Sequence, residues 1–375
     1  MRDVVISGGG PIGLYIATEL GKMGYDVLVI EEHPDIGNPS HCSGLFSGHV
    51  FDITGTRAVL HSANRAKIVS PSGRVLKIGD STPRAFVVDR VEFDRSLARD
   101  AVSSGVDLHL KERVRRVSYG EVITSHSTYR TRIVVGADGI NSVVRRSMNV
   151  TLPNVIGAAQ VIAKYESESE DTVEIFVGNK VAPGFFAWVI PLFDDLAKIG
   201  VASYGHSWFY LRNLLKRLRA RPLSVHGGGI PIGTVPRSYH KGMLIVGDAA
   251  GHVKATSGGG VYPGLRAARC AVDTISEAID SGSYGLSSMR KYESCWRRGI
   301  GKELSNALYI HTLYRKIRDS DFDRIVEELS RDEMTAIINK YGDIDYPSWV
   351  VWKLFRKNPK LMKYVGIAFR RDEKR

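Results

Sequence analysis

The chain has 375 residues, 43% apolar and 25% charged, enough to bury a large core and usually two domains. No apolar run is as long as a membrane span, and Cys42, Cys270 and Cys295 lack metal-ligand spacing, which argues against a membrane helix or zinc module and for a reducing cytoplasm. The formal net charge is +12, yet no recognised nucleic-acid motif and no aromatic-interleaved basic stripe accompanies it in the core, so nucleic acid is not the expected partner.

Val4, Val5 and Ile6 form a short apolar run that reads as a buried parallel strand. It opens the chain, so no signal peptide is expected ahead of it. Gly8, Gly10 and Gly13 follow in the spacing G-x-G-x-x-G. Ile12, Ile16 and Leu20 then share one face of a helix running to Met23, and Val27 to Ile30 reads as a second strand with Glu31 at its end. This is a βαβ unit with an acid at the distance that meets a ribose hydroxyl. The glycines permit a tight turn and close approach of a pyrophosphate, and the helix start offers free N–H groups to it. The unit points to a dinucleotide without choosing between NAD and FAD.

Further along, VVDRVEFDRSLARDA places Asp89 and Arg90 ahead of Phe93, Asp94 and Leu97. IVVGADGINSVVRR runs an apolar strand into Gly136, Asp138 and Gly139, with a helix start at Ser142. The stretch from about 151 to 237 reads differently. VIGAAQVIAKYE, TVEIFVG and GFFAWVIPLFDDLAKIGVAS are short β-branched or alternating runs split by turns, which predicts an antiparallel sheet covering a cofactor and shaping a substrate pocket. Segment 51–83 is expected to join it. MLIVGDAAGHVKATSGGGVYPGLRAA ends a strand at Gly247-Asp248, where Asp248 suits a ribitol or ribose hydroxyl. Gly258, Gly259 and Gly260 there leave backbone N–H groups free for a flavin ring or a phosphate. From about 285 onward the chain reads as helical. Its tail mixes Trp349, Trp352, Phe355, Tyr364 and Phe369 with Lys353, Arg356, Lys357, Lys360, Lys363, Arg370 and Arg371. Two readings stand for the tail: an interfacial membrane segment, or a helical cap with solvated lysines.

Taken together, the glycine turn, the Asp89-Arg90 segment and the two later strand–turn–helix segments resemble the FAD-binding fingerprints of the aromatic-hydroxylase-like flavoproteins, in that family's order. The resemblance implies FAD and carries an FAD contact to Arg90. The segment APGFFAWVIP is similar to the P-x-x-Y-x-W-x-F-P motif of the archaeal geranylgeranyl reductases, through Pro183, Phe186, Trp188, Ile190 and Pro191. His41-Cys42-Ser43-Gly44, the TSGGGVYPG stretch from Thr256 to Gly264 and the helical tail extend that likeness over nearly the whole chain. Two positions depart from it: Phe186 stands for the family tyrosine and Ile190 for its phenylalanine, and the lost hydroxyl removes a candidate proton donor.

The fold implied is α/β. A Rossmann-like FAD-binding domain is expected from 1–50, 84–150 and 238–290. An inserted antiparallel-sheet substrate domain is expected from 51–83 and 151–237, and a C-terminal helical region from 291–375. The resemblance implies cofactor contacts at Gly8, Gly10, Pro11, Ile12, Gly13, Glu31, Cys42, Gly44, Arg90, Asp138, Asp248, Gly258, Gly259, Gly260 and Val261. It implies Cys42 as a catalytic group and Phe185, Phe186 and Trp188 as walls for an isoprenoid lipid. The reaction implied is saturation of C=C bonds by hydride from reduced FAD. No second dinucleotide fingerprint follows the insert, so electrons are expected from ferredoxin or transiently bound NAD(P)H. The location expected is cytoplasmic, with peripheral contact to the inner face of the cell membrane. Rival readings are a flavin monooxygenase, a flavin-dependent halogenase with Lys77 as its lysine, and a membrane-docked flavoprotein passing electrons to a partner.

Overall fold

The computed structural model describes residues 1–40 and 42–364. His41 and the tail residues Phe369, Arg370 and Arg371 lie outside the described residues.

The apolar runs stack as parallel strands. Met243–Ile245, Thr128–Gly136, Arg2–Ser7, Val27–Ile30 and Asp107–His109 lie side by side in that order, all parallel. Tyr239–His240 closes one edge antiparallel. Parallel strands are covered on both faces, which is why each reads as an unbroken apolar run. Alternate residues feed two cores. Val4, Ile6, Val29 and Val135 pack with Leu14, Ile16, Leu97 and Ile275 of helices Pro11–Lys22, Arg90–Ser103 and Val261–Asp280. Val5, Leu28 and Val134 pack on the other side with Val117 and Val122 of the hairpin Val114–Ser118/Glu121–Thr124 and with Val144 of helix Val143–Ser147. Truncating one such buried Leu or Ile to Ala costs about 2–5 kcal/mol.

A second sheet of seven strands covers the first domain. Its order is Arg221–Pro231, Val155–Lys164, Leu196–Ser203, Phe186–Pro191, Thr172–Val177, Arg65–Val69 and Val75–Gly79. Helix Ser207–Leu218 packs Leu211, Leu214 and Leu215 on one face, against Ala159, Val161, Ile199 and Val201. The alternate residues, among them Trp188 and Ala202, belong to clusters on the other face.

Three expectations need correction. The sheet is not wholly antiparallel, because Thr172–Val177 and Arg65–Val69 run parallel. Arg65–Val69 arrives from a remote segment, so no hairpin turn dictates its direction. Within 51–83, only Arg65–Val69 and Val75–Gly79 join the seven strands. Val59–Ala63 pairs instead with Ala85–Val88, which also holds Leu45–Phe46. Cys270 and Cys295 are not free thiols. They form a disulfide with Cα atoms 5.8 Å apart, brought together by the hairpin of helices Val261–Asp280 and Leu286–Arg298. The disulfide removes the cysteine argument for a reducing cytoplasm. Beyond that hairpin come helices Gly301–Tyr314, Asp319–Leu329, Asp332–Tyr341 and Pro347–Lys357. Among the described residues no helix is long and apolar enough to cross a membrane.

Candidate functional site

The glycine turn joins strand Arg2–Ser7 to helix Pro11–Lys22, and its glycines serve different ends. Gly8 has φ +107°, and a Cβ there would lie 2.4 Å from the Ala137 carbonyl oxygen. A Cβ on Gly13 would lie 2.2 Å from the Gly8 oxygen. Both are demanded by packing alone. Gly10 is different, since a Cβ there would meet no atom within 4 Å among the described residues. It borders open space at the helix N-terminus. That terminus has Pro11 at its first position, no side-chain cap and no acid in its first turn among the described residues. The N–H groups of Ile12 and Gly13 therefore have no acceptor within the helix, and the positive end of its dipole is uncompensated. An oxyanion fits there.

Glu31 lies at the rim of this turn. One carboxylate oxygen accepts from the Gly9 N–H at 2.7 Å and the other from the His33 N–H at 2.9 Å. Asp138 accepts from Val143 N–H at 2.8 Å and Ser7 Oγ at 3.3 Å through Oδ2, at the start of helix Val143–Ser147. Its Oδ1 is buried without a partner among the described residues. Burial pushes this carboxyl above its ordinary value, against the pull of its hydrogen bonds. Asp138 thus supports, beside the N-cap Ser142, the start of that helix with one oxygen left over.

Asp89 caps helix Arg90–Ser103 by accepting from Val91 and Glu92 N–H. This sets Arg90 inward, where Nη2 donates to both oxygens of Asp94 at 3.0 and 2.9 Å. Its guanidinium carbon lies 5.4 Å from the Phe46 ring centroid, and its Nε is buried without a partner among the described residues. Burial opposes the charge, but Cys42 and Asp94 outweigh it and hold Arg90 above its ordinary value. Asp248 sits in the turn after Met243–Ile245. Burial pushes its carboxyl up to about 6, with Arg90 pulling the other way. A Cβ on Gly260 would lie 2.9 Å from Asp248 Oδ1, so carboxylate and glycine loop are adjacent. Gly258, with φ +71°, Gly259 and Gly260 lead into helix Val261–Asp280, which begins at Val261 with neither side-chain cap nor acid in its first turn among the described residues. Here too an uncompensated helix start faces a glycine loop.

The second sheet meets this loop through its aromatic residues. Phe185 is fully buried and stacks on Phe186 with centroids 4.5 Å apart, and Trp188 stands edge-on to Phe186 at 6.0 Å. A Cβ on Gly258 would lie 3.7 Å from Phe185 Cζ. The Trp188 Nε1–H donates to Gln160 Oε1 at 3.0 Å, which fixes the indole across Gly200, where a Cβ would lie 2.2 Å from Cζ2. Cys42 lies in the loop after the first βαβ unit, where its Sγ accepts from Gly44 N–H at 3.4 Å. Gly44 has φ +75°, and a Cβ there would lie 2.7 Å from the Val88 oxygen.

Sequence reasoning missed three groups. Lys198, on strand Leu196–Ser203, reaches across from the second sheet, and its Nζ donates to the Ser43 oxygen at 3.0 Å. Burial pulls its ammonium below the ordinary value, and Cys42 partly offsets this. Its inward position on an alternating strand was the available signal. Lys77, the lysine that the halogenase reading singled out, is instead exposed near the sheet edge. Lys254, in the loop that carries the three glycines, is buried and donates to Asp345 Oδ1 at 2.6 Å and to the Ile344 oxygen at 2.7 Å. Asp345 also accepts from Ser47 and His49. Tyr204 OH pairs with His311 Nε2 at 3.1 Å, and burial pushes His311 down to about 4.

Comparison with known proteins follows the same lines. The chain is similar to digeranylgeranylglycerophospholipid reductase of Methanothrix thermoacetophila, at 26% identity over 96% of this chain and 97% of that one. It is similar to digeranylgeranylglycerophospholipid reductase 2 of Methanopyrus kandleri, at 28% identity over 97% of this chain and 98% of that one. Its fold is that of a geranylgeranyl bacteriochlorophyll reductase-like protein from Thermoplasma acidophilum, with TM-score 0.87 at 22% identity, covering 98% of this chain and 99% of that one. FAD suits the residues present. The open space at Gly10 has room for a pyrophosphate oxygen, and the unsatisfied Arg90 Nε and the carboxyl of Asp248 are polar groups that such a cofactor could meet. Residues 1–206, more than half of the chain, match the FAD binding domain family; the chain belongs to that family, and its cofactor is FAD.

Proposed function

We propose that this FAD-dependent oxidoreductase saturates C=C bonds in the geranylgeranyl chains of archaeal membrane phospholipids. One observation carries the reading. The wall of Phe185, Phe186 and Trp188 closes on the glycine loop, so an apolar chain laid along it would lie against the flavin-binding turn. The named relatives, matched over nearly their full length, support the same substrate class.

Saturating an isolated alkene takes one hydride and one proton, and when bound and reduced FAD is the hydride source. The chain's own residues supply the rest. Phe186 and Trp188, backed by the buried Phe185, hold the isoprenoid and exclude water. Gln160 locks the indole, so the wall keeps its shape when Phe186 replaces a tyrosine. Lys198 holds its protons at Nζ beside Cys42 and Ser43, and burial makes that ammonium a stronger acid. We assign the proton to this Lys198–Cys42 pair, which takes over from the missing tyrosine hydroxyl. Arg90 and Asp248 position the cofactor. Electrons reach the cofactor from ferredoxin or NAD(P)H.

The test is product analysis. Holoenzyme reduced with dithionite under anaerobic conditions is incubated with a digeranylgeranyl phospholipid, and the lipid is weighed by mass spectrometry. The reading expects a gain of one H2 for each bond saturated, with the electrons drawn from the reduced flavin and no oxygen required. A lipid of unchanged mass, or oxygen uptake coupled to an aromatic substrate, would overturn it.

A further inference from the structure

One segment of the second sheet, with the helix that covers it, carries positive charge and no acid of its own. No Asp or Glu occurs between Asp195 and Asp248. Within that stretch, helix Ser207–Leu218 and the edge strand Arg221–Pro231 bring Arg212, Lys216, Arg217, Arg219 and Arg221 to the surface, all exposed. Among the described residues none of the five sits in an ion pair. Large apolar groups stand in solvent beside them: Trp208 is 41% exposed, Phe209 57%, Leu223 53% and Val225 63%.

These groups form one surface. Val225 and Gly227, paired with Val161 and Ala159, alternate onto the helix-bearing face of the edge strand, and Leu223 stands at a bulge just before them. A Cβ on Gly227 would lie 3.4 Å from Trp208 Cζ2, so the indole overhangs that face. The helix buries Leu211, Leu214 and Leu215 against the sheet. Trp208, Arg212 and Lys216, spaced by four, therefore line its outward side.

The tail helix Pro347–Lys357 differs. Trp349 and Trp352 are exposed there too. But Lys357 pairs with Glu333 at 3.3 Å, and the Lys353 ammonium rests 3.9 Å from the Tyr341 ring centroid. The neighbouring helix Asp332–Tyr341 begins with Asp332 and Glu333. The tail cations are thus partly engaged within the fold, whereas on the sheet face only Arg217 is, its guanidinium carbon 5.7 Å from the Phe176 ring centroid.

We propose that helix Ser207–Leu218 and strand Arg221–Pro231 are the surface by which this protein docks on an anionic lipid bilayer. Trp208 and Phe209 enter the headgroup layer, and the five cations meet lipid phosphates. Exposed Trp208 and Phe209 beside unpaired cations match the mixed composition of an interfacial membrane segment. The inference does not depend on which lipid is reduced.

The test uses the holoenzyme and vesicles of phosphatidylcholine with or without phosphatidylglycerol, sedimented at low and high salt. Three variants are compared with wild type: Trp208→Ser/Phe209→Ser; Arg212→Gln/Lys216→Gln/Arg219→Gln/Arg221→Gln; and the tail set Lys353→Gln/Arg356→Gln/Lys357→Gln/Lys360→Gln. Flavin absorbance confirms that each is folded. Wild type should sediment with the anionic vesicles and detach as salt rises. The charge variant should lose about fivefold in partitioning for each cation removed. The aromatic variant should also bind less, and the tail set should bind as wild type. Should the aromatic pair fail to fold, tryptophan quenching by brominated lipid replaces it, with a contribution expected from wild type that Trp208→Phe lacks. The proposal fails if wild type does not sediment, if the tail set alone loses binding, or if quenching is the same in Trp208→Phe. It also fails if the charge variant loses binding while the aromatic variant keeps it, which would mean charge attraction alone with no aromatic entry into the headgroup layer.

Discussion

Gly10→Val should separate cofactor binding from folding. The backbone at Gly10 has φ −78° and ψ 174°, a conformation any residue adopts, and a Cβ there meets nothing within 4 Å among the described residues. The cofactor-free fold should therefore tolerate valine at a cost below about 1 kcal/mol, the price of a poorer helix N-cap. In the holoprotein the isopropyl group occupies the space beside the free N–H groups of the first turn. A charge-assisted hydrogen bond contributes about 1.5–3 kcal/mol, so displacing two of them costs about 3–6 kcal/mol. At about 1.4 kcal/mol per decade, FAD affinity should fall by roughly 10²- to 10⁴-fold. Gly13→Ala is the contrast. Its Cβ would lie 2.2 Å from the Gly8 oxygen, so it should lower the unfolding midpoint even without FAD. Apoprotein is prepared, its melting followed by circular dichroism, and FAD titrated by flavin fluorescence. A Gly10→Val protein that binds FAD like wild type, or whose apoprotein melts as early as Gly13→Ala, would refute the reasoning.

Trp188→Ala should abolish turnover of geranylgeranyl lipids while FAD stays bound, and truncating so large a side chain costs about 3–5 kcal/mol at most, so melting must be read beside rate. If Trp188 serves packing alone, activity per folded molecule will be unchanged. Lys254→Met should destabilise the protein by about 3–5 kcal/mol and loosen FAD, because it strands Asp345 in the interior. Lys254→Met/Asp345→Leu should regain most of that stability, and a double variant no better than the single would show that the pair acts separately. Asp248 titrates near 6 in the folded cofactor-free protein, above its ordinary value, so the native state holds a proton that the unfolded chain has lost. Its contribution is full below about pH 4 and disappears as pH rises through about 6, amounting to no more than about 3 kcal/mol. The stability difference between wild type and Asp248→Asn should trace that fall in denaturant melts of apoprotein, and a flat difference would remove the buried-carboxyl account. His252 and His311 titrate low in the folded state and act in the opposite sense, so only the difference curve isolates Asp248.

The parts of this molecule legible in the sequence are those written in local pattern. Val4 to Ile6, Val27 to Ile30 and Ile133 to Val135 read as parallel strands because both faces are buried and no polar residue interrupts them. The Gly8–Gly13 turn was legible because close approach admits glycine alone at Gly8 and Gly13. What escaped depends on partners far apart in the chain. Lys254 and Asp345 are 91 residues apart, and Tyr204 and His311 are 107 apart. Neither has a spacing that sequence can read. The Cys270–Cys295 disulfide depends on two helices folding back on each other, and the parallel entry of Arg65–Val69 on a strand arriving from another segment. Asp138 is a different case. A fingerprint position was legible, but whether its carboxylate meets the cofactor or a backbone N–H is decided only by the loop geometry.

The central claim is that the reduced holoenzyme gives its electrons to a prenyl double bond. Single-turnover flavin oxidation under strict anaerobiosis tests it most directly. Holoenzyme is reduced stoichiometrically, excess reductant is removed, and a digeranylgeranyl phospholipid or its fully saturated counterpart is mixed in while flavin absorbance is followed. The account predicts that the oxidised flavin band returns with the unsaturated lipid and not with the saturated one, and that Trp188→Ala slows that return without loss of bound FAD. A flavin that stays reduced with both lipids, yet reoxidises at once when oxygen is admitted with an aromatic substrate that becomes hydroxylated, would contradict it.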